Sequence, residues 1–150
     1  MTIYLLAGAE RVGKTTFGKT LAKHLGIPHT AFADEIKQRA AKLYPSRYYD
    51  IYADNKSEET RNLLCAVSQK ARIMYNDDDY FTKLALSRAN KGLVISDLRY
   101  ERELHYVQEN VSNYKIIWIG HYNDKYDLHE IYRHIDLFLP KYGDLSAFSI

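Results

Sequence analysis

Residues 8–15 read Gly-Ala-Glu-Arg-Val-Gly-Lys-Thr, a complete G-x-x-x-x-G-K-[ST] loop. Each fixed position has a physical task. Gly8 and Gly13 permit backbone angles that a Cβ would forbid, so successive N–H groups can curl around a phosphate. Lys14 supplies a mobile point charge for β- and γ-phosphates. The Thr15 hydroxyl suits Mg²⁺, and a helix starting here points its positive end at the same anion. The flanks agree. Ile3-Tyr4-Leu5-Leu6-Ala7 is an apolar run of strand type, and Phe17, Leu21 and Leu25 recur at helical spacing before Gly26 and Pro28. Strand, glycine loop and helix are the context the motif requires. A chance match at average glycine usage is roughly a one-in-a-few-hundred event in a chain of this size.

Outward from this loop, strands are expected at 2–7, 29–33, 93–97, 115–120 and 136–139. Helices are expected at 14–25, 34–43, 57–75, 80–90, 99–110 and 128–134, with a last turn near 144–148. The alternation predicts an α/β fold: a P-loop NTPase three-layer α/β/α sandwich around a mostly parallel five-stranded sheet. Leu93-Val94-Ile95 and Ile116-Ile117-Trp118-Ile119 are apolar without interruption, as strands buried on both faces are. The chain of 150 residues is one domain's worth, long enough to bury a core. No internal repeat or linker divides it.

Composition narrows the function classes. The net charge is +2 and no basic block stands out, so no extended nucleic-acid track is expected. Arg11 and Lys14 interrupt the only N-terminal apolar stretch, so neither a leader nor a membrane span is expected. Cys65 is the sole cysteine, which excludes an internal disulfide and is compatible with a reducing cytosol. It lies in Leu63-Leu64-Cys65-Ala66-Val67 and is expected in the core. There are 14 tyrosines, and Tyr44, Tyr48, Tyr49 and Tyr52 cluster in an expected loop. They are either half-buried surface rings or aromatic walls for a base or sugar. The six histidines show no metal spacing, and His129 and His134 are expected at the surface. Asn76-Asp77-Asp78-Asp79 lacks the alternation of a calcium loop and reads as a helix break with an N-cap.

Ligands of a parallel sheet bind beyond the carboxyl ends of its strands. That rule singles out a few side chains. Asp97 follows a buried strand, where a P-loop protein places the acid that holds a Mg²⁺-bound water; otherwise it caps the helix expected at Arg99. Arg99 either forks onto phosphate oxygens or pairs with Glu103 at i+4. Asp34 is an N-cap or a contact to a sugar or base, with Lys37 one turn on towards an acceptor phosphate. Arg61 and Arg72 are eleven apart, near one face of their helix. Phosphoryl transfer draws on such cations.

Four stretches together resemble the phage-type deoxynucleoside monophosphate kinases, a group within the P-loop nucleoside monophosphate kinases. They are Gly8–Thr16; Phe32-Ala33-Asp34-Glu35-Ile36-Lys37; Thr60-Arg61-Asn62-Leu63-Leu64 with Arg72 and Tyr80-Phe81; and Ile95-Ser96-Asp97-Leu98-Arg99-Tyr100-Glu101-Arg102-Glu103. They occur in the family's order over about two-thirds of the chain. The resemblance implies transfer of the ATP γ-phosphate to a (deoxy)nucleoside monophosphate with Mg²⁺, in cytoplasmic deoxynucleotide metabolism, in a host cell if the chain is viral. ATP would be bound by Gly8, Ala9, Glu10, Arg11, Val12, Gly13, Lys14, Thr15 and Thr16, with Lys141 and Tyr142 of the turn Pro140-Lys141-Tyr142-Gly143 beside the adenine. Asp34, Lys37, Arg61, Arg72 and Arg99 would line the acceptor site, in a region spanning about residues 44–80. Lys14, Arg61, Arg72 and Arg99 would stabilise the transferring group; Thr15 and, through water, Asp97 would hold Mg²⁺. The chain departs from the family at residues 121–128. This lid is short and offers His121 and Lys125 but no arginine, which implies poorer exclusion of water.

Two other readings are compatible with the loop. A small-metabolite kinase of the dephospho-CoA or shikimate kinase type would need a base for its alcohol, and Asp34 would be the candidate. A nucleotide-sensing module would keep the loop and lose efficient transfer. The expected partners are small-molecule nucleotides, not nucleic acid or membrane. A homodimer through the helix at 57–75 is compatible with its apolar surface.

Overall fold

The computed structural model describes residues 1–8, 13–120, 130–139 and 148. Its sheet is built from β1 (Ile3–Gly8), β2 (His29–Thr30), β3 (Leu93–Ile95), β4 (Tyr114–Ile119) and β5 (Leu137–Leu139). The helices are α1 (Lys14–Leu25), α2 (Phe32–Leu43), α3 (Tyr48–Ile51), α4 (Glu58–Met74), α5 (Tyr80–Leu86), α6 (Glu101–Asn110) and α7 (Glu130–Arg133). A 3₁₀ turn, Pro45–Arg47, precedes α3.

All strand pairings among the described residues are parallel, and the spatial order is β2-β3-β1-β4-β5. β1 is central. It pairs with β4 from Ile3↔Tyr114 to Gly8↔Ile119 and with β3 from Ile3↔Leu93 to Leu5↔Ile95. Alternate side chains leave the sheet on opposite faces. Ile3, Leu5 and Ala7 of β1 join Ile116 and Trp118 of β4 in a core closed by Phe32, Ala85, Leu104 and Ile131. Leu6, Ile117 and Ile119 point the other way, onto Phe17, Leu21 and Ala22 of α1 and onto Phe148. The fold is therefore the expected three-layer sandwich, with α1 on one face and α2, α5, α6 and α7 contributing to the other. A smaller apolar knot of Ala40, Ile51 and Val67 ties α2, α3 and α4 together.

Local hydrogen bonds set several boundaries that periodicity misplaces. β2 ends at Thr30, not residue 33, because the Asp97 side chain takes the N–H groups of Phe32 and Ala33 and α2 starts there. Asp34 thus lies inside the first turn of α2 and is not its N-cap. α6 begins at Glu101 rather than 99, because Glu103 Oε1 accepts the N–H groups of both Arg99 and Tyr100. α5 stops at Leu86, before a turn in which Lys91 has φ 61°. The segment 45–51 is helical where the sequence suggested a loop. α4 behaves as expected: Ser57 caps it by accepting the Thr60 N–H at 3.1 Å. Of the last turn expected near 144–148, only Phe148 is among the described residues.

The tightest backbone approach is at the end of β1. Gly8 has φ +149°, and a Cβ there would sit 2.4 Å from the Ile119 carbonyl oxygen. Neither side can yield without breaking the β1–β4 ladder. Gly8→Ala is therefore expected to destabilise the fold by roughly 2–4 kcal/mol. Urea unfolding of the two proteins measures it; equal midpoints would refute the close approach.

Candidate active site

β1 and β3 run parallel, so the phosphate loop after β1 and the acid after β3 lie on one edge of the sheet. Gly13 (φ 89°) precedes α1, which has no acidic residue in its first turn. Its N-terminal N–H groups and helix dipole are thus not neutralised by a carboxylate on the helix itself. Lys14 is 8% exposed, and its Nζ donates to the Gly8 carbonyl oxygen at 2.8 Å. This folds the ammonium back to the end of β1, where the loop begins. Thr15 and Thr16 are exposed beside it. The remaining loop residues, Ala9, Glu10, Arg11 and Val12, lie outside the described residues. So do the lid at 121–128 with His121 and Lys125, His129, and the adenine-side candidates Lys141 and Tyr142.

Next to this edge is a cleft of about 680 Å³, bounded by α2, α4, α5 and the segment from β3 into α6. Phe32, Ile36, Leu64 and Phe81 give it apolar walls. Its cations are Lys37, Arg72, Arg99 and Arg102. Three of these were expected from the sequence, and the structure brings them together. The Nε of Arg72 is buried and has no hydrogen-bond partner among the described residues. A buried donor left unpaired is costly, and an anion in the cleft would satisfy it. Arg102 was not foreseen. It is held across the cleft by Asp78 at 2.9 Å and Asp79 at 3.3 Å. No periodicity marks such a residue, because its partners lie on another element.

Two expected acceptor residues are placed elsewhere. Asp34 does not line the cleft; its charge acts on His29, Tyr52 and, at the cleft's edge, Asp97. Arg61 is also absent from the lining and is exposed near the start of α4, close to Lys56. It shares a helix face with Arg72, but eleven residues separate them by about 16 Å along the axis. Burial, then the charge of Lys37, lowers the Lys56 ammonium from its usual range. Lys56 adds a second cation beside Lys37 that the sequence reading overlooked.

Asp97 is 8% exposed and lines the cleft. Its Oδ1 accepts the Phe32 N–H at 2.7 Å and its Oδ2 accepts the Ala33 N–H at 3.0 Å. It therefore caps α2, a helix 65 residues earlier, and not the helix that follows it. Burial raises its carboxyl above the ordinary range, opposed by those two hydrogen bonds. Glu103 lies alongside. Burial pushes its carboxyl up to about 7, opposed by the N–H groups of Arg99 and Tyr100 and reinforced by the charge of Asp97. Glu103 meets the backbone of Arg99, not its guanidinium, so the expected i+4 ion pair is replaced by a hold on the main chain. Lys37, Arg72 and Arg99 form no ion pair among the described residues.

Other candidates separate cleanly. Cys65 is exposed in the cleft wall rather than buried in the core, because Val67 and Leu63 carry the apolar face of α4. Tyr44, Tyr48, Tyr49 and Tyr52 are exposed, and Tyr48 packs on both Tyr49 and Tyr52, with Tyr48–Tyr52 centroids 4.8 Å apart. None of the four lines the cleft. Asp77 accepts the Asp79 N–H and pairs with Lys83, which makes the acidic run a helix junction. His134 is exposed, and no three His, Cys, Asp or Glu side chains gather to hold a metal among the described residues. Nor is any helix there long and apolar enough to cross a membrane.

No protein-family model matches the sequence, and no curated protein matches it. Solved structures do. Shikimate kinase from Aquifex aeolicus vf5 aligns at TM-score 0.46 and 17% identity, over 93% of this chain and 86% of its own. Shikimate kinase from Bacteroides thetaiotaomicron aligns at 0.44 and 12%, over 93% and 86%. A gluconokinase from Sinorhizobium meliloti 1021 aligns at 0.39 and 11%, over 81% and 58%. At these identities the likeness is one of fold.

The pH consequence follows from Glu103. A carboxyl raised from 4.5 to about 7 binds its proton more tightly when folded. Its contribution is fully present below about pH 4.5 and is lost as pH rises to about 7, by roughly 2–4 kcal/mol. Glu103→Gln keeps the acceptor for Arg99 and Tyr100 without the titration. Melting temperature followed from pH 5 to 8 should fall less steeply in the variant; parallel curves would remove Glu103 as the cause.

Proposed function

We propose that this protein is an ATP-dependent phosphotransferase whose acceptor is a (deoxy)nucleoside monophosphate. The observation that carries this reading is one shared sheet edge. It presents the Lys14 loop and, beside it, an apolar-walled cleft in which Lys37, Arg72 and Arg99 form no ion pair among the described residues. Such a cleft suits a flat apolar base joined to a dianionic phosphate.

In the proposed reaction, an oxygen of the acceptor phosphate attacks the γ-phosphorus of ATP. The bond from that phosphorus to the β-γ bridging oxygen breaks, and ADP leaves. The attacking oxygen is already anionic, so no general base is required. Lys14 neutralises the β- and γ-oxygens. Arg72 and Arg99 hold the acceptor in line and offset its charge against that of the transferring group. The loop and its exposed Thr15 fit a Mg²⁺-bound triphosphate. Asp97 fits as well, since each oxygen that accepts from α2 keeps a lone pair for a metal-bound water. When bound, Mg²⁺ would withdraw charge from the phosphate oxygens.

An alcohol acceptor with Asp34 as base has less support, because Asp34 does not line the cleft. The deciding experiment is a coupled ADP-release assay with ATP, Mg²⁺ and each of the eight common nucleoside monophosphates, with shikimate and dephospho-CoA as contrasts. Turnover with one or more nucleotides is expected, and Lys14→Ala should lower it by about 100-fold or more. ATP binding with no acceptor-dependent turnover would replace the kinase reading with a nucleotide-sensing module. In the active protein, Arg72→Met should raise the acceptor KM about tenfold or more while leaving the ATP KM in place. A change confined to the ATP KM would take Arg72 out of the acceptor site.

A further inference from the structure

We infer that Asp97 is a positioning residue for the acceptor site: from the end of β3 it supplies the N-cap that α2 lacks, and so aims the wall that carries Lys37. The inference rests on the cleft being the acceptor site, and adds to it the device that sets the cleft's shape.

The need for a cap from elsewhere is written in α2. Its N-cap residue is Ala31, with the extended backbone of a capping position (φ −138°, ψ 146°) and no side-chain acceptor. The first N–H groups of a helix have no partner within it. Here they are shut away, for Ala31 is 8% and Phe32 3% exposed. Asp34 cannot serve, since it already lies within the first turn. Asp97 answers both N–H groups at once, one with each oxygen, at 2.7 Å and 3.0 Å. A carboxylate at a helix N-terminus also meets the positive end of the dipole. The bond therefore ties α2 to the sheet where the phosphate loop sits.

The residues that α2 gives to the cleft follow from this tie. Phe32, Ala33, Ile36 and Lys37 all fall within its first two turns. Lys37 lies about 7–8 Å along the axis from Phe32. A tilt of about 10° at the cap would move it by roughly 1 Å, enough to cost on the order of 100-fold where geometry is critical. The same carboxylate follows β3, which pairs with the strand that leads into the phosphate loop. Its loss would then act on acceptor binding even without nucleotide, which a metal-water ligand alone would not do.

The test compares wild type with Asp97→Ala, Asp97→Asn and the double variant Asp97→Ala/Ala31→Ser, whose new hydroxyl can cap α2 from its own chain. Amide hydrogen exchange at Phe32 and Ala33 is read on the nucleotide-free protein. Calorimetry then measures binding of each of the eight common nucleoside monophosphates without ATP or Mg²⁺. Asp97→Ala should speed exchange at both amides at least tenfold and weaken nucleoside monophosphate binding about tenfold. Ala31→Ser should recover part of both. Asp97→Asn, with one carbonyl acceptor left, should free one amide and keeps the test open if the alanine variant does not fold. Unchanged exchange and nucleoside monophosphate affinity in Asp97→Asn and Asp97→Ala, with loss only of Mg²⁺-dependent ATP binding, would overturn the inference. Altered exchange with none of the eight nucleoside monophosphates bound by wild type would leave the cap standing and instead refute the acceptor reading, and with it the positioning role.

Discussion

The rest of the structure hangs on β1 being gripped from both sides. β3 and β4 flank it in parallel register, and its apolar side chains alternate between two cores. That arrangement fixes the axis of α1 and the point at which the phosphate loop leaves the sheet. It also forces Gly8 so close to Ile119 that no side chain fits. The glycine that opens the loop is thus as much a demand of the sheet as of the ligand.

Around this rigid edge the charges are arranged unevenly. Carboxylates are spent on backbone and on structural partners. Asp97 and Glu103 accept from main-chain N–H groups, Glu35 is nearly buried against Arg88, and Asp78 and Asp79 hold Arg102. Among the described residues, three cations of the cleft, Lys37, Arg72 and Arg99, form no ion pair. A site with that imbalance would be stabilised by an anion that entered it.

The sequence was most legible where one stretch answers to one physical rule. The loop at 8–15 announced itself through its spacing, and β3 and β4 through unbroken apolar runs that only a doubly covered sheet can use. Lys37 and Arg99 were found by following strand ends, and Arg72 by its spacing from Arg61 on one helix. What was not legible depends on partners distant in sequence. Asp97 read as the acid for a metal-bound water or as the cap of the next helix, and no local pattern showed that it caps one 65 residues earlier. Arg102 gained its place from a loop twenty-odd residues away, and Arg61 lost its expected place because helical phase says nothing about distance along the axis. Cys65 shows the same limit: a locally apolar stretch does not say which flank of the helix meets the cleft.

Phe148 has a consequence for how the molecule is made. It packs against Phe17 and Tyr4 and offers its carbonyl oxygen to His24 at 3.0 Å, so α1 is braced by a residue 124 positions downstream. β1 likewise waits for β3 and β4. In synthesis the helix bearing Lys14 is made well before the residue that braces it. Contacts of such separation close slowly, and a chain lacking them exposes apolar surface. The face of α1 that carries Phe17 thus stays uncovered for the time it takes to make the segment in between.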